Sequence, residues 1–209
     1  MCAGFDVIEV ACWAHARRKF FEAKDTDSRA NEILAFIGEL YAVESQARPA
    51  IDTARALPVE LRHAPLIAAF EARKQLRETR SKAVLEKING WLKARTIDTL
   101  PKSPLGQAIG YARNQWQALN RFVENGALEA DNNTAENALR PIALGRKNYL
   151  FVGSEHGGRR AAILYSLIRT CERHQINAWV YLREVLIRIA THPASRIDDL
   201  LPNRWTLGK

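Results

Sequence analysis

The stretch VIEVACWAHARRKFFEA, Val7 to Ala23, decides how the chain is read. Its first part, Val7–Trp13, is short, rich in β-branched residues and apolar almost throughout, which is the pattern of a buried strand. Its second part reads as a helix carrying three consecutive cations, Arg17, Arg18 and Lys19. A single strand cannot satisfy its own backbone N–H and C=O groups. It needs a neighbour, and the rest of the sequence offers little beyond YLFVG (Tyr149–Gly153), readable either as a short strand or as an extended segment.

Everything else reads as helix. Ser28 can cap a helix with an apolar stripe at Ile33, Leu34, Ile37, Leu40 and Tyr41. Pro49, Pro58 and Pro65 punctuate the next part of the chain, and a helix is expected to start near Pro65, since proline is tolerated in a first turn. Val84, Leu85, Ile88, Trp91 and Leu92 form its far apolar end. After the loop at Pro101 and Pro104, the three- and four-residue spacing of Leu105, Ala108, Ile109, Ala112, Trp116, Leu119 and Val123 predicts an amphipathic helix stopping at Gly126. Gly157 and Gly158 open another, with Ile163, Leu164, Leu167, Ile168 and Cys171 on one face. Asn177 caps a last helix expected to bury Trp179, Leu182, Leu186 and Ile189, before an irregular tail. There is no internal repeat, and the inventory is mainly α with one strand at about 7–13.

The 209 residues suit one domain or two small ones at roughly 150 residues each. With 47% apolar residues, five Trp, seven Phe and five Tyr, the chain can bury a core, and general disorder is excluded. Lys and Arg outnumber Asp and Glu by 31 to 23, a net charge of +8, which is compatible with nucleic acid and also with an ordinary solvated surface. Three cysteines, Cys2, Cys12 and Cys171, match no disulfide framework and fit a reducing cytoplasm. No apolar run approaches the ~18 residues of a membrane span, and the N-terminus lacks the pattern of a secretory signal.

The chemistry concentrates in DNNTAENALRPIALGRKN, Asp131 to Asn148. Asp131 can cap a helix whose second turn carries Glu136, about 140° away around the axis at ~100° per residue, so the two carboxylates do not share a face. Glu136 reads either as a metal ligand or as the partner of Arg140 one turn on, and spacing alone favours the second. Arg140, Arg146 and Lys147 flank Pro141, where the segment should bend; they suit a phosphate backbone or a solvated surface equally. GSEHGGRR (Gly153–Arg160) places Arg159 and Arg160 at a helix start. It fits neither a Walker loop nor a dinucleotide fingerprint, and a helix cap with a flexible approach is the better reading than an anion site. Cys12 and His15 have a metal-like spacing but no second pair to complete a zinc site, and no Gly-x-Ser-x-Gly elbow exists for a hydrolase.

CWAHARRKFFEA (Cys12–Ala23) and DNNTAENALRPIALGRKNYLFVGS (Asp131–Ser154) together resemble the two most recognisable blocks of bacterial insertion-sequence transposases of the sixty-six family. The run from Gly157 to Pro193 and the tail RIDDLLPNRW resemble the family's later segments, so the resemblance covers nearly the whole chain in order, least specifically in its middle. It implies a mainly α chain that is the C-terminal fragment of a ribonuclease-H-like α/β catalytic domain. Val7–Trp13 would be its last, edge strand, with residues 1–23 as strand and following helix, 24–128 as a helical insertion, 129–175 as the Glu-bearing helix and basic segment, and 176–209 as C-terminal helix and tail.

The resemblance further implies an Asp-Asp-Glu triad holding Mg²⁺ for cleavage and transfer of transposon-end DNA. Glu136 is then the catalytic and metal-binding acid, and Arg17, Arg18, Lys19, Arg140, Arg146, Lys147, Arg159 and Arg160 bind DNA. Where the family often has Arg after this glutamate, the chain has Asn137. The family's second aspartate precedes an Ala-Gly-(Phe/Tyr) that aligns with Ala3-Gly4-Phe5, so it and the first aspartate would fall before residue 1; Asp6 is offset from the motif. On this reading the chain is a truncated, catalytically incomplete copy acting in the cytoplasm, with DNA and possibly a second chain as partners and no membrane. The alternatives are a non-catalytic basic DNA-binding or regulatory module and a helical assembly subunit.

Overall fold

A computed structural model of the chain describes residues 8–58, 60–149 and 152–205, with the backbone alone for 146–149. It divides into two compact units, residues 1–133 and 134–209.

The first unit is a helical bundle. Its helices are α1 (Trp13–Ala23), α2 (Ala30–Ala56), α3 (His63–Leu76), α4 (Lys82–Asp98), α5 (Pro104–Asn114) and the short α6 (Trp116–Asn120), followed by a 3₁₀ turn at Arg121–Val123. α1 packs between α2 and α5, and α2 also packs on α3 and α4. The core takes one face of each: Trp13, Ala16 and Phe20 from α1, Ile33, Ile37 and Leu40 from α2, Ile88 and Leu92 from α4, and Leu105 and Ile109 from α5. Pro65 lies in the first turn of α3, and Ser103 caps α5 by accepting from the Gly106 N–H with Pro104 as first helical residue. Pro49, expected to break the chain, lies inside α2 instead. The single helix expected over 105–123 is interrupted after Asn114.

The expected strand is corrected. Among the described residues there is no strand and no sheet, so the ribonuclease-H-like α/β fold is not what this chain adopts; only its mainly α character holds. Val7 lies outside the described residues, residues 8–12 are irregular and Trp13 already begins α1. Locally the reading had a basis, because Cys12 has extended backbone angles. The segment's hydrogen bonds go to α6, the 3₁₀ turn and the loop before α7 rather than to a strand. Ala11 N–H donates to the Ala118 carbonyl (3.1 Å), Trp13 N–H to that of Ala130 (3.0 Å), and Arg121 donates back to the Glu9 carbonyl. The Ala118 carbonyl lies near the end of α6, where intrahelical partners are lacking, and that of Ala130 lies in the loop before α7, so both can accept from this segment as a strand edge would. Of Tyr149–Gly153, Tyr149 ends a helix and Leu150 and Phe151 lie outside the described residues.

One long helical path, α3 to α4, widens into a π turn at Arg77–Ser81. There the fully buried Arg77 engages all five guanidinium donors. Nε and Nη2 bind the Glu44 carboxylate (2.7 and 2.6 Å), Nη1 binds the carbonyls of Phe122 (2.6 Å) and Asn125 (3.0 Å), and Nη2 also reaches that of Leu128 (2.8 Å). Arg73, one turn earlier and also buried, donates to the Gly126 carbonyl (2.6 Å) and to Glu129 (3.0 Å). Burial and the charge of Arg77 hold its pKa below the usual value, against the pull of Glu129 and Glu44. Two arginines therefore fasten residues 122–129, a loop without regular structure beyond the end of the 3₁₀ turn, onto α3 and the π turn. Gly126 completes the fit, since a Cβ there would lie 1.8 Å from the Phe70 carbonyl oxygen. This loop leads directly into Asp131.

The second unit holds α7 (Asn133–Tyr149), whose first residue belongs to the first unit, α8 (Glu155–Arg173), α9 (Ala178–Arg188) and a 3₁₀ segment at Ala194–Leu200. Its buried cluster is small: Cys171, Tyr181, Val185 and Leu200, with Leu167, Leu182 and Trp205 against it. The Tyr181 hydroxyl donates to the Leu200 carbonyl (2.8 Å), and its ring meets Trp205 edge-on. Asn177 caps α9 as expected, accepting from the Trp179 and Val180 N–H groups. Of the face expected to be buried, only Leu182 packs against the cluster. Trp179 is 78% and Leu186 71% exposed, and Ile189 is exposed too, because α9 turns Tyr181 and Val185 toward α8 and the tail. Ile163 and Leu164 of α8 are likewise exposed.

Candidate nucleic-acid interface

α1 sorts its residues by helical spacing. Trp13, Ala16, Phe20 and Ala23 are buried, which leaves Arg17, Arg18 and Lys19 exposed on the outer side. The Trp13 indole N–H donates to the Leu119 carbonyl (2.9 Å), fixing the start of the helix. The three cations do not act as one group. Arg17 and Arg18 line a solvent-open groove of about 660 Å³ together with Ala14, Phe21, Gly38, Tyr41, Asp131 and Asn133. Lys19 instead lies over the Tyr111 ring of α5, 5.0 Å from its centroid.

The groove is polar at one end. Burial, reinforced by the nearby Asp131 carboxylate, pushes the Tyr41 hydroxyl's pKa well above the usual range, with Arg17 opposing. Asp131 accepts through Oδ1 from the N–H of Asn133, the first residue of α7, two residues on (3.1 Å), as expected of it. The Asn132 N–H points at the buried Cys12 sulfur (3.5 Å). Sequence reasoning missed Phe21, Gly38 and Tyr41. A signal existed for the first: Arg17, Phe21 and Lys24 succeed one another at four- and three-residue steps along one helix face.

In the second unit, Glu136 lies in the first turn of α7 and is exposed, as is Arg140. The chain does not leave the helix at Pro141, where a bend is expected: α7 continues through it. Proline has no N–H, so the carbonyl four residues earlier, that of Asn137, loses its helical partner. Arg169 of α8 supplies one through Nη2 at 3.4 Å, while Nη1 pairs with Glu172. Asn137, where the family often has Arg, thus takes part through its backbone. Arg146 and Lys147 lie on α7, but their side chains are outside the described residues. Arg159 and Arg160 are exposed near the start of α8, whose N-terminus Ser154 caps by accepting from the Gly157 N–H (3.1 Å). That supports the capping reading of this glycine pair. A Cβ on Gly157 would lie 2.0 Å from the Val152 carbonyl oxygen, so the close approach needs glycine.

No group of three or more His, Cys, Asp or Glu among the described residues could hold a metal ion. Two adjacent Mg²⁺ ions need more anchoring than the single carboxylate of Glu136 offers. The described residues therefore do not fit a magnesium pair, and Cys12 with His15 does not make a zinc site. Among the described residues no helix is long and apolar enough to cross a membrane.

A family model described as the transposase IS66 family matches residues 3–160, and one for the IS66 C-terminal element matches residues 166–203. The chain belongs to the IS66 transposase family. Among curated proteins it is similar to the uncharacterized protein y4hP of Sinorhizobium fredii, 33% identical over 213 residues, which covers 97% of this chain and 38% of that protein. It is also similar to the uncharacterized proteins y4jD and y4qI of the same organism. Each is 32% identical, over 93% and 94% of this chain and 35% and 34% of their own lengths. The chain thus spans little more than a third of these IS66 relatives. No solved structure matches it significantly.

Proposed function

We propose that this chain supplies the glutamate-bearing part of a DNA transposition enzyme that binds transposon-end DNA and needs further carboxylates to cleave it. The observation that carries the reading is the family match through Asp131–Ser154, the block that contains Glu136. Glu136 is the catalytic and metal-binding acid, and its exposure on a helix suits that role. Arg17, Arg18, Lys19, Arg140, Arg146, Lys147, Arg159 and Arg160 contact DNA, mostly through phosphates, which position a strand without reading its sequence. The excess of 31 Lys and Arg over 23 Asp and Glu supports this. Mg²⁺, when bound with the help of other carboxylates, would supply Lewis-acid stabilisation of the phosphoryl group.

Two measurements test the proposal. Binding of duplex DNA bearing the element's ends should weaken linearly in log–log form with salt, by roughly 0.9 per phosphate contacted; salt-independent binding or none refutes the DNA role. Incubation of the purified chain with end-bearing plasmid and Mg²⁺ should give no nicked product. Mg²⁺-dependent nicking that Glu136→Gln abolishes would show that the chain is catalytically sufficient and the proposed incompleteness wrong.

A further inference from the structure

The groove between α1 and α2 has features that phosphate contact alone does not require. Phe20 and Phe21 are neighbours, yet Phe20 is fully buried and Phe21 is 46% exposed. The Phe21 ring stands among cations: the Lys24 ammonium lies 4.1 Å from its centroid and the Arg17 guanidinium 5.8 Å. Opposite, on α2, Gly38 sits inside a 27-residue helix. Glycine is unfavourable there relative to alanine, and packing does not ask for it, since an added Cβ would meet nothing within 4 Å. Its effect is to leave that wall of the groove open. The volume, about 660 Å³, lies within the roughly 300–1,000 Å³ of sites that enclose small ligands.

We propose that this groove takes up an unpaired nucleotide of single-stranded DNA, with its base stacked on Phe21 and its phosphate held by Arg17 and Arg18. The inference rests on the DNA-binding reading above and narrows it. An aromatic ring beside a cationic track is how single strands are held without sequence preference. A paired base does not qualify, because its faces are covered by its neighbours in the stack. Lys24 is no obstacle. An exposed cation–π contact is worth a factor of about 2–5 and a base on an aromatic ring about 5–150, so the base displaces the ammonium, which is then free to meet the phosphate. Asp131 sets the polarity of the site. Its carboxylate repels phosphate from the Tyr41 end, where carboxylate and hydroxyl can meet the hydrogen-bonding edge of the base.

The test compares the full chain's affinity for a labelled single-stranded oligodeoxythymidylate and for a blunt duplex of equal length at fixed low salt. Phe21→Ala is expected to weaken single-strand binding about 5- to 150-fold and to leave duplex binding within twofold. Gly38→Leu, which fills the groove, should weaken single-strand binding similarly without lowering the melting temperature. Arg17→Ala with Arg18→Ala should weaken it and flatten its salt dependence, by roughly 0.7 per lost phosphate contact. Duplex binding with single-strand affinity indifferent to Phe21→Ala and Gly38→Leu overturns this inference and leaves the DNA role standing. Absence of binding to either probe overturns both.

Discussion

Replacing Arg77 with methionine keeps a long side chain of similar reach but removes every guanidinium donor from the centre of the first unit. The cost has two parts. Glu44, only 7% exposed, loses both hydrogen bonds of its bidentate partner; breaking a buried ion pair from one side costs about 3–5 kcal/mol. The carbonyls of Phe122, Asn125 and Leu128 also lose their donor. Each buried orphan costs about 1–3 kcal/mol, at the low end for the last two, whose bonds are only partly buried. The total is of order 6–10 kcal/mol, comparable to the stability of a whole domain, so Arg77→Met alone is expected to unfold the first unit or to leave it marginal. The double variant Arg77→Met with Glu44→Met removes the stranded carboxylate and should recover the first cost but not the second, remaining about 3–5 kcal/mol below wild type. At roughly 4 °C per kcal/mol for a unit of this size, that is a melting temperature lower by about 12–20 °C. Arg77→Lys should rescue little, since an ammonium lacks the planar fork that meets carboxylate and carbonyls together. Thermal unfolding followed by tryptophan fluorescence reads this unit through Trp13, Trp91 and Trp116. If Arg77→Met lowers the transition by less than about 4 °C, the ion pair is not the lock described; if the double variant matches wild type, the carbonyls are not held by Arg77.

Pro141→Ala restores an N–H opposite the Asn137 carbonyl and should stabilise the second unit by about 1–3 kcal/mol in urea titrations; in that background Arg169→Ala should lose whatever effect it has in wild type, and equal effects in both would break the proposed link. Gly157→Ala should destabilise the second unit while Gly158→Ala is tolerated, because the nearest atom to a Cβ at 158 is a Val152 methyl at 3.6 Å; melting curves of the pair decide it. The raised pKa values of Tyr41 and Tyr111, caused chiefly by burial, predict a stability contribution fully present below about pH 10 and lost as pH rises further. The unfolded chain releases those protons first. Tyr41→Phe should make the alkaline decline of the melting temperature shallower, and an unchanged slope would count against burial as its cause.

Periodicity placed the buried faces of α2, α4 and α5 correctly, and proline and asparagine marked the starts of α3 and α9. The same logic failed for α9 itself. Its apolar residues go nearly all round, and spacing does not say which stripe meets the tail. For the candidate site, the positions of Arg17, Arg18 and Lys19 outside the core came from α1's pattern, but their division between the groove and Tyr111 did not. Nor could the spacing that sets Phe21 with Arg17 and Lys24 on one helix face say that Gly38 would lie beside it.

By itself, then, the sequence determined what is local: the helical stripes of the first unit, the caps of α8 and α9, the extended backbone at Cys12, and the motif blocks that carry the family. Those signals act within a turn or two of chain, where spacing and side-chain chemistry suffice. Tertiary structure decided where the polar groups of special segments find partners. The residues before α1 bond to carbonyls more than a hundred residues away instead of forming a sheet, and Arg77 reaches Glu44 and the loop before Asp131 from a π turn. Such choices depend on which unsatisfied donors and acceptors the folded chain brings together, and that is a property of the packed molecule.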